Sequence, residues 1–175
     1  MANNAAFEVL YSDYYARVYG LCRRLLNSTE LAEDATQETF MRAYRNFRKY
    51  DTAQPFWQWI ATIANNHCID LLRQQNRSTA LFGIEQVEIE ELSDSSAPVL
   101  HELISGQEAN VLNKAVADLD DKYRVPLILA YFNQLSYDDI AAQLEISRNH
   151  VGVLLLRARQ KLRGAMQEMS TGGGA

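Results

Sequence analysis

Leu135-Ser136-Tyr137-Asp138-Asp139-Ile140-Ala141-Ala142-Gln143-Leu144-Glu145-Ile146-Ser147-Arg148-Asn149-His150-Val151 is the stretch on which the fold turns. Ser136 starts a short helix as its cap, with Asp139 three residues on, a weaker stand-in for the usual capping-box Glu. Glu145-Ile146 turns the chain, and Ser147 caps a longer helix running to about residue 168. Short helix, tight turn and capped longer helix is the layout of a helix-turn-helix. Ile140, Ala141 and Leu144 are set to pack against Val151, Leu155, Ala158 and Leu162, which recur at helical spacing. On a wheel of about 100° per residue, Asn149, Val153, Leu156 and Gln160 point outward. Arg148, Arg157, Arg159, Lys161 and Arg163 follow with no acid between Ile146 and Gln167. Such a basic helix gains free energy by displacing counterions from phosphates, so nucleic acid is the expected partner.

Upstream of this unit, Val111, Leu112, Ala115, Val116 and Leu119 form one apolar stripe. A helix over about 122–132 follows, with Pro126 expected in its first turn. Residues 78–107 are different in kind. They hold Glu85, Glu88, Glu90, Glu91, Asp94 and Glu102 but no Lys or Arg, and read as an acidic, solvated linker. The net charge of -5 therefore comes from the middle of the chain and does not argue against a nucleic-acid partner. Beyond Gly164 the tail from Ser170 is expected to be disordered.

The amino-terminal segment is also helical. Phe7, Leu10, Tyr14, Val18, Leu21, Cys22 and Leu25 recur at three and four. Ser28 or Thr29 caps a second helix over about 30–47, whose inner face is read as Leu31, Ala35, Phe40, Ala43 and Tyr44. Lys49 to Pro55 breaks the pattern, with Asp51-Thr52 supplying turn chemistry. A third helix over about 56–75 carries Phe56, Trp59, Ile60, Ile63, Ala64 and Ile69 inward. Phe56 and Trp57 precede Asn65, Asn66, Arg73 and Arg77: aromatic rings, amides and guanidiniums in the combination that receives unstacked bases. Core packing is the plainer reading of such aromatics.

With 175 residues, 47% of them hydrophobic and 22% charged, the chain has the balance of a globular protein with an all-α fold of two small helical domains. No apolar run reaches the roughly 18 residues a membrane span requires, and the opening residues show no signal peptide. A cytoplasmic location is expected. Cys22 and Cys68 are too few for a disulfide framework and suit a reducing compartment. His67, His101 and His150 are scattered. His67-Cys68 with Asp70 lacks the further cluster that a metal requires, so neither metal, cofactor nor catalytic site is expected and the chain is read as no enzyme.

Four motifs carry a resemblance. Ala32-Glu33-Asp34-Ala35-Thr36-Gln37-Glu38-Thr39-Phe40 resembles the AEDxxQExF signature of sigma factor region two. Trp59-Ile60-Ala61-Thr62-Ile63-Ala64-Asn65-Asn66 with Asp70 and Arg73 is similar to the family's WLxxIAxN…D..R. Leu135 to Ala141, followed by Arg157-Ala158-Arg159, looks like region four's LSYxEIA…RAR. In this order, they make the chain resemble an extracytoplasmic-function sigma factor, the minimal two-domain class, over about residues 7–77 and 108–165.

The resemblance implies residues 1–77 as a region-two-like domain, 78–107 as a flexible linker and 108–175 as a region-four-like domain. It implies binding to core RNA polymerase through Asp34, Gln37, Glu38 and Arg42. It further implies −10 contacts from Phe56, Trp57, Asn65, Asn66, Arg73 and Arg77, with Lys49–Pro55 and Asn66 capturing a flipped base. The −35 contacts fall to Arg148, Asn149, His150, Arg157, Arg159, Lys161 and Arg163, and an anti-sigma factor is the implied regulator. Some positions depart from the family pattern. Asn65 stands where the family often has Arg, Gln74-Gln75-Asn76 thin its basic run, and Glu145 replaces a common Gly. The recognition helix is unusually apolar, with Val153 and Leu156 on the face that should read bases. That face suits thymine methyls or a protein partner, and leaves a stand-alone helix-turn-helix regulator or a protein-binding adaptor as the other readings.

Overall fold

The computed structural model describes residues 2–76, 81–82 and 108–172, which form helices, short turns and no strands. The chain divides into two compact units between Thr79 and Ala80. Of the expected linker only Leu81 and Phe82 are described. Phe82 is buried, which corrects the reading of that position as solvated; the rest lies outside the described residues.

The first unit packs three helices against one another: α1 (Ala2–Leu26), α2 (Thr29–Asn46) and α3 (Phe56–Gln75). Asn27 takes a left-handed conformation, φ 52°, between α1 and α2, a backbone region that Asn tolerates better than most residues. Ser28 then caps α2 by accepting from the Leu31 N–H at 3.3 Å. α1 packs on α3, with Val18, Leu21, Cys22 and Leu25 of the one and Ile60, Ala64, Ile69 and Leu72 of the other all buried. The inner face of α2 is smaller than the sequence pattern suggests: Ala32, Ala35, Thr36, Thr39, Phe40 and Ala43. Leu31 is only half-buried and Tyr44 is exposed, which corrects the expected face. Small side chains permit close helix approach, and the two threonines satisfy their hydroxyls locally. Thr36 donates to the Ala32 carbonyl at 2.6 Å and Thr39 to the Ala35 carbonyl at 2.7 Å. Tyr44 instead packs edge-on against Phe7 at the rim and donates to Asn4.

The second unit comprises α4 (Glu108–Ala117), α5 (Asp121–Tyr131), α6 (Tyr137–Leu144) and α7 (Arg148–Gly172). The long α7 packs against all three of its neighbours. Pro126 is the sixth residue of α5 and not in the first turn as expected, so its ring removes a hydrogen bond to the Lys122 carbonyl. Arg124, buried, ties the α4–α5 corner by donating to the Leu119 carbonyl at 2.8 Å and pairing with Asp121. Glu145 occupies the left-handed turn after α6 at φ 56°, ψ 43°, the conformation for which the family's common Gly is suited. The helix α7 outruns its expected end near 168. Thr171 donates back to the Gln167 and Glu168 carbonyls, and helix replaces the expected disorder as far as Gly172.

Candidate nucleic-acid interface

The four residues assigned to polymerase contact divide into two groups. Asp34 and Gln37 are exposed on one line of α2 that continues, at helical spacing, through Met41 and Tyr44. Gln37 borders an open groove lined by Phe7, Tyr11, Phe40, Met41 and Tyr44. Glu38 and Arg42 lie further around the helix and bond to each other, Nε to Oε1 at 2.8 Å. That hydrogen bond holds the Glu38 carboxyl below its ordinary range. His67 of α3 is near this pair. Burial lowers its imidazole pKa, Arg42 adds to the effect, and Glu38 and Asp70 oppose it.

The six residues assigned to the −10 element are not gathered on one surface. Phe56 is buried, and Asn65, at 1% exposure, is inside the three-helix core where no base reaches it. Both therefore act in packing. Trp57 is half-buried under Arg17, whose guanidinium lies 3.9 Å from the ring centre, and is stacked near Tyr14. Trp57 and Asn66 are nine positions apart, so they fall about 180° apart on α3. Asn66 is exposed, and Arg73, seven residues on, shares its side of the helix and is half-buried. Arg77 lies outside the described residues. Within the 49–55 loop, Tyr50 packs on Trp59 at 4.9 Å and edge-on against Phe56 at 5.6 Å.

In the second unit the caps fall as expected: Ser136 accepts from the Asp139 N–H and Ser147 from the His150 N–H, both at 3.1 Å. Ile140, Leu144, Val151, Leu155, Ala158 and Leu162 are buried. Two assignments on α7 are corrected. Arg159 is buried and donates through Nη1 to the Tyr131 hydroxyl at 3.0 Å, so it holds α7 to α5 and does not face phosphate. Val153, placed outward by the wheel, is 7% exposed, because three helices cover α7 over a wider arc than one apolar stripe. Arg148 is exposed but engaged with Asp138 at 3.4 Å. His150 is half-buried, and burial lowers its pKa. The open surface of α7 is then formed by Asn149, Leu156, Gln160, Lys161 and Arg163, with Arg157 half-buried at its edge. No group of three His, Cys, Asp or Glu residues is placed to hold a metal among the described residues. None of the described helices is long and apolar enough to cross a membrane.

A three-helix unit with an acid-amide face, joined to a helix-turn-helix unit with a basic face, defines a two-domain transcription protein. Sigma-70 region 2 matches residues 10–78 and sigma-70 region 4 matches residues 109–162. The ECF RNA polymerase sigma factor SigW of Bacillus subtilis is 30% identical over 94% of this chain and 90% of its own length. SigK of Mycobacterium tuberculosis is 27% identical over 94% of this chain and 87% of its own. The chain therefore belongs to the extracytoplasmic-function sigma factors of RNA polymerase. Among solved structures, the sigma factor RpoE of Bartonella quintana, in complex with the anti-sigma factor NepR, shares the fold with a TM-score of 0.61. Its identity to this chain is 21%, over 93% of this chain and 97% of RpoE. CnrH, solved with the cytosolic domain of CnrY, has a TM-score of 0.55 at 22% identity, over 94% of this chain and 90% of its own.

Proposed function

We propose that this sigma factor binds core RNA polymerase through the exposed Asp34–Gln37 line of α2, with Glu38 held beside it by Arg42. Residues 1–77 then carry polymerase and −10 contacts, 78–107 join the units, and 108–175 carry the −35 contacts. Asn66 and Arg73, on one side of α3, receive a base flipped from the −10 element. Flipping costs a few kcal/mol, which stacking and hydrogen bonding at the site must offset. Lys161, Arg163 and Arg157 position α7 on phosphates, while Asn149, Leu156 and Gln160 face the bases. Polymerase supplies the chemistry; this subunit supplies promoter choice and strand opening in the cytoplasm. An anti-sigma protein is the regulator, a reading supported by RpoE having been solved with the anti-sigma factor NepR.

The observation that carries this reading is the exposed Asp34–Gln37 line on the same three-helix unit as exposed Asn66. Run-off transcription with purified core polymerase tests it. Promoter-dependent transcripts that require the added chain are expected. Failure of the chain to co-elute with core polymerase would overturn the reading.

A further inference from the structure

Between α2 and α3, Asp51 to Pro55 are all exposed, yet their backbone is folded into a hydrogen-bonded turn. The Asp51 carboxylate accepts from the Ala53 N–H at 2.9 Å, and the Asp51 carbonyl accepts from the Gln54 N–H at 3.0 Å. Both bonds stay inside the turn. What ties it to the helices is Tyr50. A 3-10 turn, Phe47–Lys49, delivers this residue, whose N–H donates to the Phe47 carbonyl at 3.2 Å. Its ring then packs against three others: stacked on Phe47 at 6.1 Å, edge-on to Phe56 at 5.6 Å and tilted on Trp59 at 4.9 Å. From that fixed position the Tyr50 hydroxyl donates to the Gln54 carbonyl at 2.5 Å, near the far end of the exposed turn. Trp59 and Asn66 are seven positions apart and lie within about 20° of each other around α3. The turn is therefore tied to the side of α3 that presents Asn66 and Arg73.

We propose that Tyr50 is a positioning residue for promoter opening: its hydroxyl holds the 51–55 turn ordered in advance, so that the turn and Asn66 together receive the base leaving the −10 duplex. This role presupposes the reading of Asn66 and Arg73 given above, and Tyr50 itself touches no nucleotide. A flipped base has lost its stacking and pairing, and the site must return that free energy. A loose turn of five exposed residues would have to be ordered at the moment of capture, at a cost in backbone entropy for each residue fixed. Ordering it beforehand removes that cost from the opening step. The packing with Phe47, Phe56 and Trp59 is open to phenylalanine as well. The oxygen of Tyr50 serves the turn alone.

The test uses the full chain assembled with core polymerase on a promoter recovered by run-off transcription, with 2-aminopurine placed in the −10 element. Tyr50→Phe is compared with wild type and with Asn66→Ala. Tyr50→Phe should keep the melting temperature, co-elution with core polymerase and the affinity for closed promoter. It should slow the fluorescence rise on opening by roughly two- to ten-fold, the factor for one net hydrogen bond. Amide exchange at Ala53 and Gln54 should be faster in the variant. If Asn66→Ala slows opening and Tyr50→Phe does not, the role of Tyr50 is overturned and the −10 reading stands. If neither slows opening, the −10 reading falls and the role of Tyr50 falls with it. A melting temperature lowered by several degrees, with closed-promoter affinity reduced alongside opening, marks Tyr50 as merely structural and overturns the proposal too.

Discussion

Replacing Arg159 and Arg163 by alanine, one at a time, separates scaffold from DNA contact on a single helix. Both belong to the basic run of α7, yet Arg159 is buried against the Tyr131 hydroxyl and Arg163 is exposed. With Arg157, Lys161 and Arg163 as the phosphate-facing cations, the slope of log K against log salt should be about −2.7 at −0.9 per phosphate. Affinity for a duplex then falls by roughly 40-fold between 50 and 200 mM salt. Arg163→Ala should bring the slope to about −1.8 and the loss to roughly 12-fold, with the melting temperature unchanged. Arg159→Ala should keep the slope of the wild type. It should lower stability by about 1.5–3 kcal/mol, the range for a hydrogen bond to a charged group. For a unit of this size each kcal/mol is about 4–8 °C in melting temperature. The assays are fluorescence anisotropy of the full chain with a short duplex across a salt series, and calorimetry of the same preparations. A slope change of a full unit for Arg159→Ala with no loss of stability would refute the assignment of Arg159 to the scaffold.

Three further outcomes are expected. Lysine at both Gln37 and Glu38 should abolish co-elution with core polymerase, while circular dichroism melting stays near wild type, because the lost Glu38–Arg42 pair is solvent-accessible and contributes little to stability. Asn65→Ala should destabilise the first unit by about 1–3 kcal/mol as a buried polar group, whereas Asn66→Ala should leave melting unchanged and reduce open-complex formation in a permanganate footprint. Burial lowers the pKa of His67, so the unfolded chain takes up its proton first as pH falls. Stability should therefore be lost as pH drops below about 6.5 towards the depressed folded value. His67→Gln should shrink that loss in urea melts at a series of pH values, with the His150 share, of the same sign, remaining.

The helices, their caps and the helix-turn-helix were legible in the chain because each rests on local chemistry. Ser28, Ser136 and Ser147 cap whatever helix follows them. The pattern from Phe56 to Gln75 carries its own period and fixes that span, although Trp59 and Ile63 of its expected inner face are only half-buried. A family resemblance drawn from contiguous motifs could likewise be read without coordinates. Tertiary structure decided which polar residues are free to act. Asn65 and Asn66 are neighbours in sequence, but one step of about 100° puts the first in the core and the second on the surface. Arg159 sits among basic residues, yet its partner Tyr131 belongs to another helix, so no local pattern announces its burial. Val153 was misplaced because a wheel assumes one buried stripe, while α7 is covered by three helices. Tyr44 was misplaced in the other direction, since the alanines and threonines of α2 fill the close helix contact and leave a phenol to the rim. Sequence determines what each helix offers, and the number and direction of its neighbours determine which part of that offer remains exposed.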